Sequence, residues 1–536
     1  MKQLQTLSIV APGFSGLNTQ ESGVTLGPSY AQVADNVVID KLGRLGARKG
    51  WVSQTTTGVN QLAGKPLRFM LEHIDADDAA TILSAGNDKV FKNGVGAVLT
   101  DIVPSGYTIT DNDWSGANLN DTSLLVQDGF EPLVFTTNAT KIAAMDAGGF
   151  GTTGLYRITD YTGSVQNYGS NYPHHAIAAY GRYWTHNGST VYWSTDIADA
   201  NFPCFCGGTS GSLNIASVLP QNIDDIVALA VHNDFLIIFC KHNVVVYSGA
   251  SNPIGVSFQL ADLITGVGCV SKNSIQATGN DLIFLSDTGV RSFGRLVQEK
   301  SLPLRDLTKN VRDDLVADMQ AEIAAYLEED PTAKTPLDHL ASVYSEENAF
   351  YLLSFPSKSR VYVLDMRGQL EDGSARCTTW TGYEAASFLR TRDRVIYIGK
   401  TNTIGKYEGY LDNGSTYGVS FLSHYSDFGN SAMLKMVKQA KVTVQGTSGQ
   451  DFVLKVGTDY NTIRTYGFNI EADTVYEYGV AEYGLSEYTS AFLVDSQKRS
   501  VFGSGNIIQV GFEAEINNSA LSVQSLDVFV KTGRIG

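Results

Sequence analysis

Asp287-Thr288-Gly289 follows an apolar run, the setting in which an aspartic protease carries a catalytic carboxylate. That chemistry needs two such groups sharing one proton, and this chain has a single copy of the triplet. Its position matches a hairpin turn, where Asp and Gly are favoured for backbone reasons alone. Asp111-Asn112-Asp113-Trp114-Ser115-Gly116 resembles the opening of a calcium loop, but the twelfth position is Thr122, where such a loop needs a bidentate Glu. His174-His175 has no third ligand at metal spacing, and Cys204-Phe205-Cys206 lacks the two-residue spacer and second ligand pair of a zinc site. The five cysteines are expected to be structural thiols. Carboxylates are plentiful, yet no spacing marks out a glycosidase pair, and there is no Gly-x-Ser-x-Gly elbow, phosphate loop or complete dinucleotide fingerprint. No catalytic residue, cofactor or metal site is therefore expected.

One basic cluster, Lys41, Arg44, Arg48 and Lys49, stands out from an acidic chain. Gly43, Gly46 and Gly50 punctuate it, so it reads either as a solvated turn or as an anchor for an acidic partner.

The elements that would position these residues form a repeat. His232-Asn233-Asp234 leads into Phe235 to Phe239, a polar turn, and Val244 to Tyr247; Gly279-Asn280-Asp281 leads into Leu282 to Leu285, a turn at 287–289, and Val290 to Phe293. Looser copies lie at 181–194, 348–365, 393–409, 82–91 and 124–135. About seven hairpins at roughly 40–50-residue spacing predict a β-propeller, in which each blade buries its apolar faces against its neighbours.

A helical segment interrupts the repeat. Val311, Leu315, Met319, Ile323 and Leu327 recur every four residues. On a helix of ~3.6 residues per turn that stripe drifts around the cylinder, so the helix either breaks or has partners on two sides. Pro331 ends it. Beyond Asn413, alternating strands such as Lys441 to Gln445, Phe452 to Val456, Ile508 to Phe512 and Leu526 to Val530 predict a separate β-sandwich. Its middle is rich in Tyr476, Tyr478, Tyr483 and Tyr488, read as core more than as an aromatic surface. The expected division is an N-terminal platform segment at 1–60, blades at 61–300, the inserted helix at 301–335, further blades at 336–413, and the sandwich platform at 414–536.

Composition agrees with a mainly β fold: 53 glycines against 13 prolines suit many tight turns, and 50 Tyr and Phe suit strands. With 39 Lys and Arg against 55 Asp and Glu, the net charge is −16, which disfavours tight phosphate binding. In a ring, an acidic lumen would repel DNA and keep it mobile. The short apolar run before Pro12 is too small for a signal peptide, and no apolar stretch reaches the ~18 residues of a membrane span.

Gly16-Leu17-Asn18, Glu21-Ser22, Ala31, Asn36, Asp40, Gly43, Leu45, Arg48 and Gly50-Trp51 resemble the opening of the podovirus tail nozzle proteins, also called tail tubular protein B or DNA-stabilisation proteins. The resemblance implies a homo-hexameric ring below an adaptor ring on the portal. It would retain packaged genomic dsDNA, carry a fibre or tip protein, and let the DNA pass non-specifically through its lumen at infection. It also implies a place in the virion tail, after synthesis in the host cytoplasm. It carries over Gly16, Asn18, Asn36, Asp40, Lys41, Arg44, Arg48, Lys49 and Trp51 as platform and ring-interface candidates. Two other classes fit a propeller: a glycan-binding or glycan-cleaving tail adhesin, and a cellular scaffold.

Overall fold

The structure, a computed structural model, describes residues 5–10, 14–39, 44–58, 61–93, 98–104, 107, 109, 113–127, 129–145, 154–158, 166–197, 203–219, 224–298, 306–329, 336–446, 450–461, 463–469 and 493–533. Pro331 and the four tyrosines between 476 and 488 lie outside them.

Six small antiparallel sheets and one end of a ten-stranded sheet form a seven-bladed β-propeller. Blades 1 to 4 are four-stranded and cover residues 69–101, 114–157, 175–214 and 226–265; blade 5, at 276–292, has three strands among the described residues. Blade 6 spans 341–381, and blade 7 joins three strands from 387–407 to Trp51–Thr56. Each hairpin read from the sequence falls in a different blade, on its two middle strands except in blade 5, where Gly289–Ser292 is an edge strand among the described residues. Those strands are covered on both faces by neighbouring blades, so Phe235–Cys240, Leu282–Ser286 and Phe350–Phe355 are buried almost throughout. Outer strands such as Gln259–Thr265 are largely exposed.

The innermost strands touch their neighbours around the circle, with blade 7 against blade 1, except that the inner strand of blade 4 meets the short turn Lys272–Ser274 leading into blade 5. Closure is made by Trp51–Thr56, which precedes blade 1 in the chain yet pairs antiparallel with Thr403–Tyr407 as the outer strand of blade 7. The ring is thus fastened by hydrogen bonds between segments some 350 residues apart, as in the 350-residue separation of Ser53 and Thr403, whose hydroxyls meet at 2.7 Å.

Helix Arg312–Glu329 lies between blades 5 and 6 and does not break. Leu307, Val311, Leu315 and Met319 pack into the main core, but the four-residue stripe then leaves it: Ile323 is half-buried and Leu327 exposed. The buried stripe continues through Glu322 and Tyr326 instead, keeping the helix's own period. Polar partners make this possible. Asp318 accepts hydrogen bonds from the Tyr362 hydroxyl at 2.8 Å and Arg360 at 2.9 Å, and Glu322 accepts from the Ser357 amide at 3.1 Å.

The C-terminal strands build a two-sheet sandwich, and the N-terminal segment completes both sheets. Tyr30–Asp35 pairs with Tyr417–Ser426 in one sheet; Gln5–Val10 and Leu45–Ala47 pair with Leu521–Thr532 in the other. The sandwich is not free-standing. Asp35 also bridges to Thr379 of blade 6, making one continuous ten-stranded sheet, and a single hydrophobic core joins blades 5 and 6, the helix and both sandwich sheets. The N-terminal segment, expected as a platform, is therefore divided between sandwich and propeller.

Candidate functional site

The motif residues converge where propeller meets sandwich. Asn36 sits in the left-handed region at φ 57°, which Asn tolerates, and is 3% exposed. Its side chain receives the Thr381 amide at 3.0 Å and donates to the Gly418 carbonyl at 2.7 Å, linking blade 6 to the sandwich. Arg48 is fully buried. It forks onto both oxygens of Asp412, at 2.8 and 2.6 Å, and donates to the Asn36 side-chain oxygen at 2.8 Å and to the carbonyls of Lys49 and Thr381, each at 3.0 Å. Its guanidinium lies 4.1 Å from the Tyr417 ring centre and 5.3 Å from that of Tyr383. Burial alone would discharge it, but the hydrogen bonds and charge of Asp412 outweigh this and hold its pKa above the ordinary value. Arg48 is therefore neither a solvated turn residue nor an exposed anchor.

The remaining motif positions serve the same junction. Gly16, at φ +102°, brings its backbone so close to Cys377 in blade 6 that a Cβ would lie 2.8 Å from the Cys377 nitrogen. Asn18 is buried, its amide donating to the Ala31 carbonyl at 3.0 Å and its side-chain oxygen receiving the Gln20 amide at 3.0 Å. A Cβ on Gly50 would stand 2.0 Å from the Leu411 carbonyl oxygen, so only Gly fits there. Trp51 is 8% exposed, beneath the Lys400 amine at 5.1 Å. Arg44 and Lys49 are half-buried and line a cleft beside the junction, whereas Asp40 and Lys41 lie outside the described residues. Nothing in the sequence marks Asp412, Thr381 and Tyr417 as partners, since Asp412-Asn413-Gly414 reads only as a turn.

The residues suspected of chemistry have other roles. Asp287 and Thr288 form the two-residue turn closing the Ser286–Gly289 hairpin pair of blade 5, and the Thr288 hydroxyl receives Arg291 at 2.7 Å. Thr122 hydrogen-bonds the buried Tyr183 hydroxyl at 2.7 Å, and Asp111 and Asn112 lie outside the described residues. Cys204 and Cys206 are joined in a disulfide, where thiols were expected; Cys240, Cys269 and Cys377 are free and buried. Among the described residues no group of three His, Cys, Asp or Glu is placed to hold a metal, and no helix is long and apolar enough to cross a membrane.

A cavity of about 560 Å³ occupies the propeller axis, lined by the inner strands and by Phe69, Trp114 and Phe388. At its mouth, residues preceding the inner strands meet: Arg68 lies 3.2 Å from His339, His339 lies 3.7 Å from Asp113, and Lys272 lies 3.6 Å from Asp338 while donating to the His174 carbonyl at 3.3 Å. In the wall, His175 accepts the Leu229 amide of blade 4 at 3.1 Å and lies beside His186. Burial, with Lys272 adding to it, pushes His175 down to about 3; burial, with His175 and His174 next, depresses His186 too. Both are held neutral, whereas in the unfolded chain each takes up a proton near pH ~6.5. Stability is thus fully present above that pH and is lost as pH falls towards the folded values. Thermal midpoints are expected to fall steadily from pH 7 to pH 4, and His186→Gln should flatten that slope; a wild-type midpoint constant over this range would refute the assignment.

No family model matches the chain, and neither does any curated protein. Among solved structures it is similar to YCF48 bound to a D1 peptide, at 9% identity and a TM-score of 0.38, covering 67% of this chain and 95% of that one. It is also similar to the computationally designed Ika8 protein, at 11% identity and a TM-score of 0.37, covering 75% and 99%. The AfRom2 CNH domain gives 8% identity and a TM-score of 0.36, covering 66% and 97%. Likenesses this loose carry no argument about function.

Proposed function

We propose that the chain is a structural subunit of the tail nozzle of a short-tailed phage virion, one of six in a ring below the portal adaptor that retains packaged DNA and conducts it at infection. One observation carries this reading. Residues on which the family resemblance rests fasten propeller to sandwich: Gly16, Asn36 and Arg48 each join or closely approach strands of both units. Their roles are mechanical, as a pressure-bearing wall requires, and none presents a reactive group. The acidic surface, at net −16, suits a conduit that DNA must not stick to.

The purified chain, alone and mixed with the adaptor protein of its phage, is expected to form a ring in native mass spectrometry and cryo-electron microscopy. A lone monomer at all concentrations, indifferent to the adaptor, would overturn the reading. A second reading, as a glycan-binding tail adhesin, is favoured by the axial cavity, whose lining includes the amides of Asn118, Asn273 and Gln276. Glycan-array binding abolished by Asn118→Ala would support it against the first.

A further inference from the structure

Three of the five cysteines are sealed in the core. Cys240, Cys269 and Cys377 are at most 1% exposed, and burial pushes each thiol's pKa up, so none offers a thiolate at neutral pH. The Cys204–Cys206 disulfide has a different setting. It lies in the connection between the last two strands of blade 3, where Cys204 is 1% exposed and Cys206 half-buried. Gly207 and Gly208 follow, both exposed and both left-handed at φ 56° and 58°, so neither carries a side chain that could shield the Cys206 Sγ.

This bond is poorly suited to be a staple. A disulfide stabilises more the longer the loop it closes in the unfolded chain, and this one joins residues only two apart. The connection also has other anchors. The Cys204 carbonyl accepts the Thr195 amide at 2.8 Å, and the Cys204 amide donates to the Thr195 hydroxyl at 3.1 Å. Phe205 is 1% exposed; its amide donates to the Gln166 side chain at 3.0 Å and its ring stands edge-on to Tyr168 at 5.7 Å. The blade keeps these fastenings when the bond opens.

We propose that Cys204 and Cys206 form a redox site, opened and closed in the folded chain by exchange with a small thiol of the glutathione class and its disulfide. The small thiolate attacks the Cys206 Sγ, the S–S bond breaks, and its electron pair leaves on Cys204. The Thr195 hydroxyl, 3.9 Å from the Cys204 Sγ, stands beside the charge that develops there. A second thiolate attacks the mixed disulfide, releases Cys206 and departs as the small disulfide; the protons of the two thiols end on Cys204 and Cys206. The site goes beyond the nozzle reading and stands without it.

The full-length chain tests it after equilibration in glutathione or in glutathione disulfide, with free thiols then alkylated in urea and located by peptide mass mapping. All five cysteines should be alkylated from the reduced buffer, and only Cys240, Cys269 and Cys377 from the oxidised one, with the same circular dichroism before urea in both. In Cys204→Ser the remaining Cys206 should take up glutathione at least about tenfold faster than Cys204 does in Cys206→Ser, because it is the more open sulfur. The double variant Cys204→Ser with Cys206→Ser should keep the urea midpoint of the oxidised chain. A bond that glutathione opens only once urea has unfolded the chain, a pair that stays as thiols in glutathione disulfide, or a double variant with a clearly lower midpoint would each overturn the redox site. Equal rates in the two single variants would overturn the assigned order of attack.

Discussion

Replacing Arg48 with Ala is expected to lower the free energy of unfolding by about 3–5 kcal/mol, the scale seen when one partner of a buried ion pair is removed. The loss has three sources in this structure. Asp412 keeps its charge, 13% exposed, with no counter-ion; the Thr381 and Lys49 carbonyls lose their charged donor; and the Tyr417 and Tyr383 rings lose the guanidinium between them. Asn36 retains its bonds to Thr381 and Gly418, so Asn36→Ala should cost less, about 1–3 kcal/mol for the groups it leaves unpaired. The double change Arg48→Met with Asp412→Leu should recover most of the loss, since it removes both charges and keeps apolar volume. Urea denaturation of Arg48→Met, Asp412→Leu and the double forms the decisive cycle. If Arg48→Ala costs under about 1 kcal/mol, or the double is as damaged as the sum of the singles, the network is not the keystone described here.

How far this was legible in advance depended on burial. The middle strands of the blades are the most buried, so runs such as Phe235–Cys240 and Phe350–Phe355 stand out in the sequence, and a hairpin was found for each of the seven blades. The inner strands face the axis and the outer strands face solvent; Gly211–Asn214 and Gln259–Thr265 therefore carry mixed patterns that fade into loops. The helix was visible through Val311, Leu315 and Met319. Its second half was misread because Glu322 and Tyr326 occupy the buried stripe, an arrangement that for Glu322 depends on the distant donor Ser357. The closing strand Trp51–Thr56 was assigned with the platform, because no local signal tells a strand which partner it will find 350 residues away. For the same reason Arg48 was legible as unusual but not as buried. Its partner Asp412 is 364 residues distant, and the turn chemistry around Asp412 accounts for that residue without it.

Trp51→Ala should be nearly as costly as the loss of Arg48, about 3–5 kcal/mol for emptying a buried indole site, but its consequences should be local to the ring closure. The indole packs with Val38, Trp380, Tyr383 and Ile398, so it holds the closing strand against blades 6 and 7 as well as against its own pairing partner. Collapse around the vacancy is restricted on the partner strand, where a Cβ on Gly405 would already lie 2.5 Å from the indole and Gly405 has no side chain to move in. With the anchor gone, Trp51–Thr56 is held mainly by its ladder to Thr403–Tyr407, because its other edge has single bridges at the two ends, Trp51 to Asp412 and Thr56 to Val98, in place of a full ladder. Hydrogen exchange should therefore accelerate first at amides of Trp51–Thr56 and Thr403–Tyr407, while the long sandwich strand Lys435–Gly446, paired on both sides, keeps its protection. Trp51→Phe, which retains most of the apolar volume, should restore the greater part of both stability and protection. Uniform loss of protection across propeller and sandwich would instead mean that the two open as one unit, with Arg48 and the shared core coupling them more tightly than the closing strand fastens the ring.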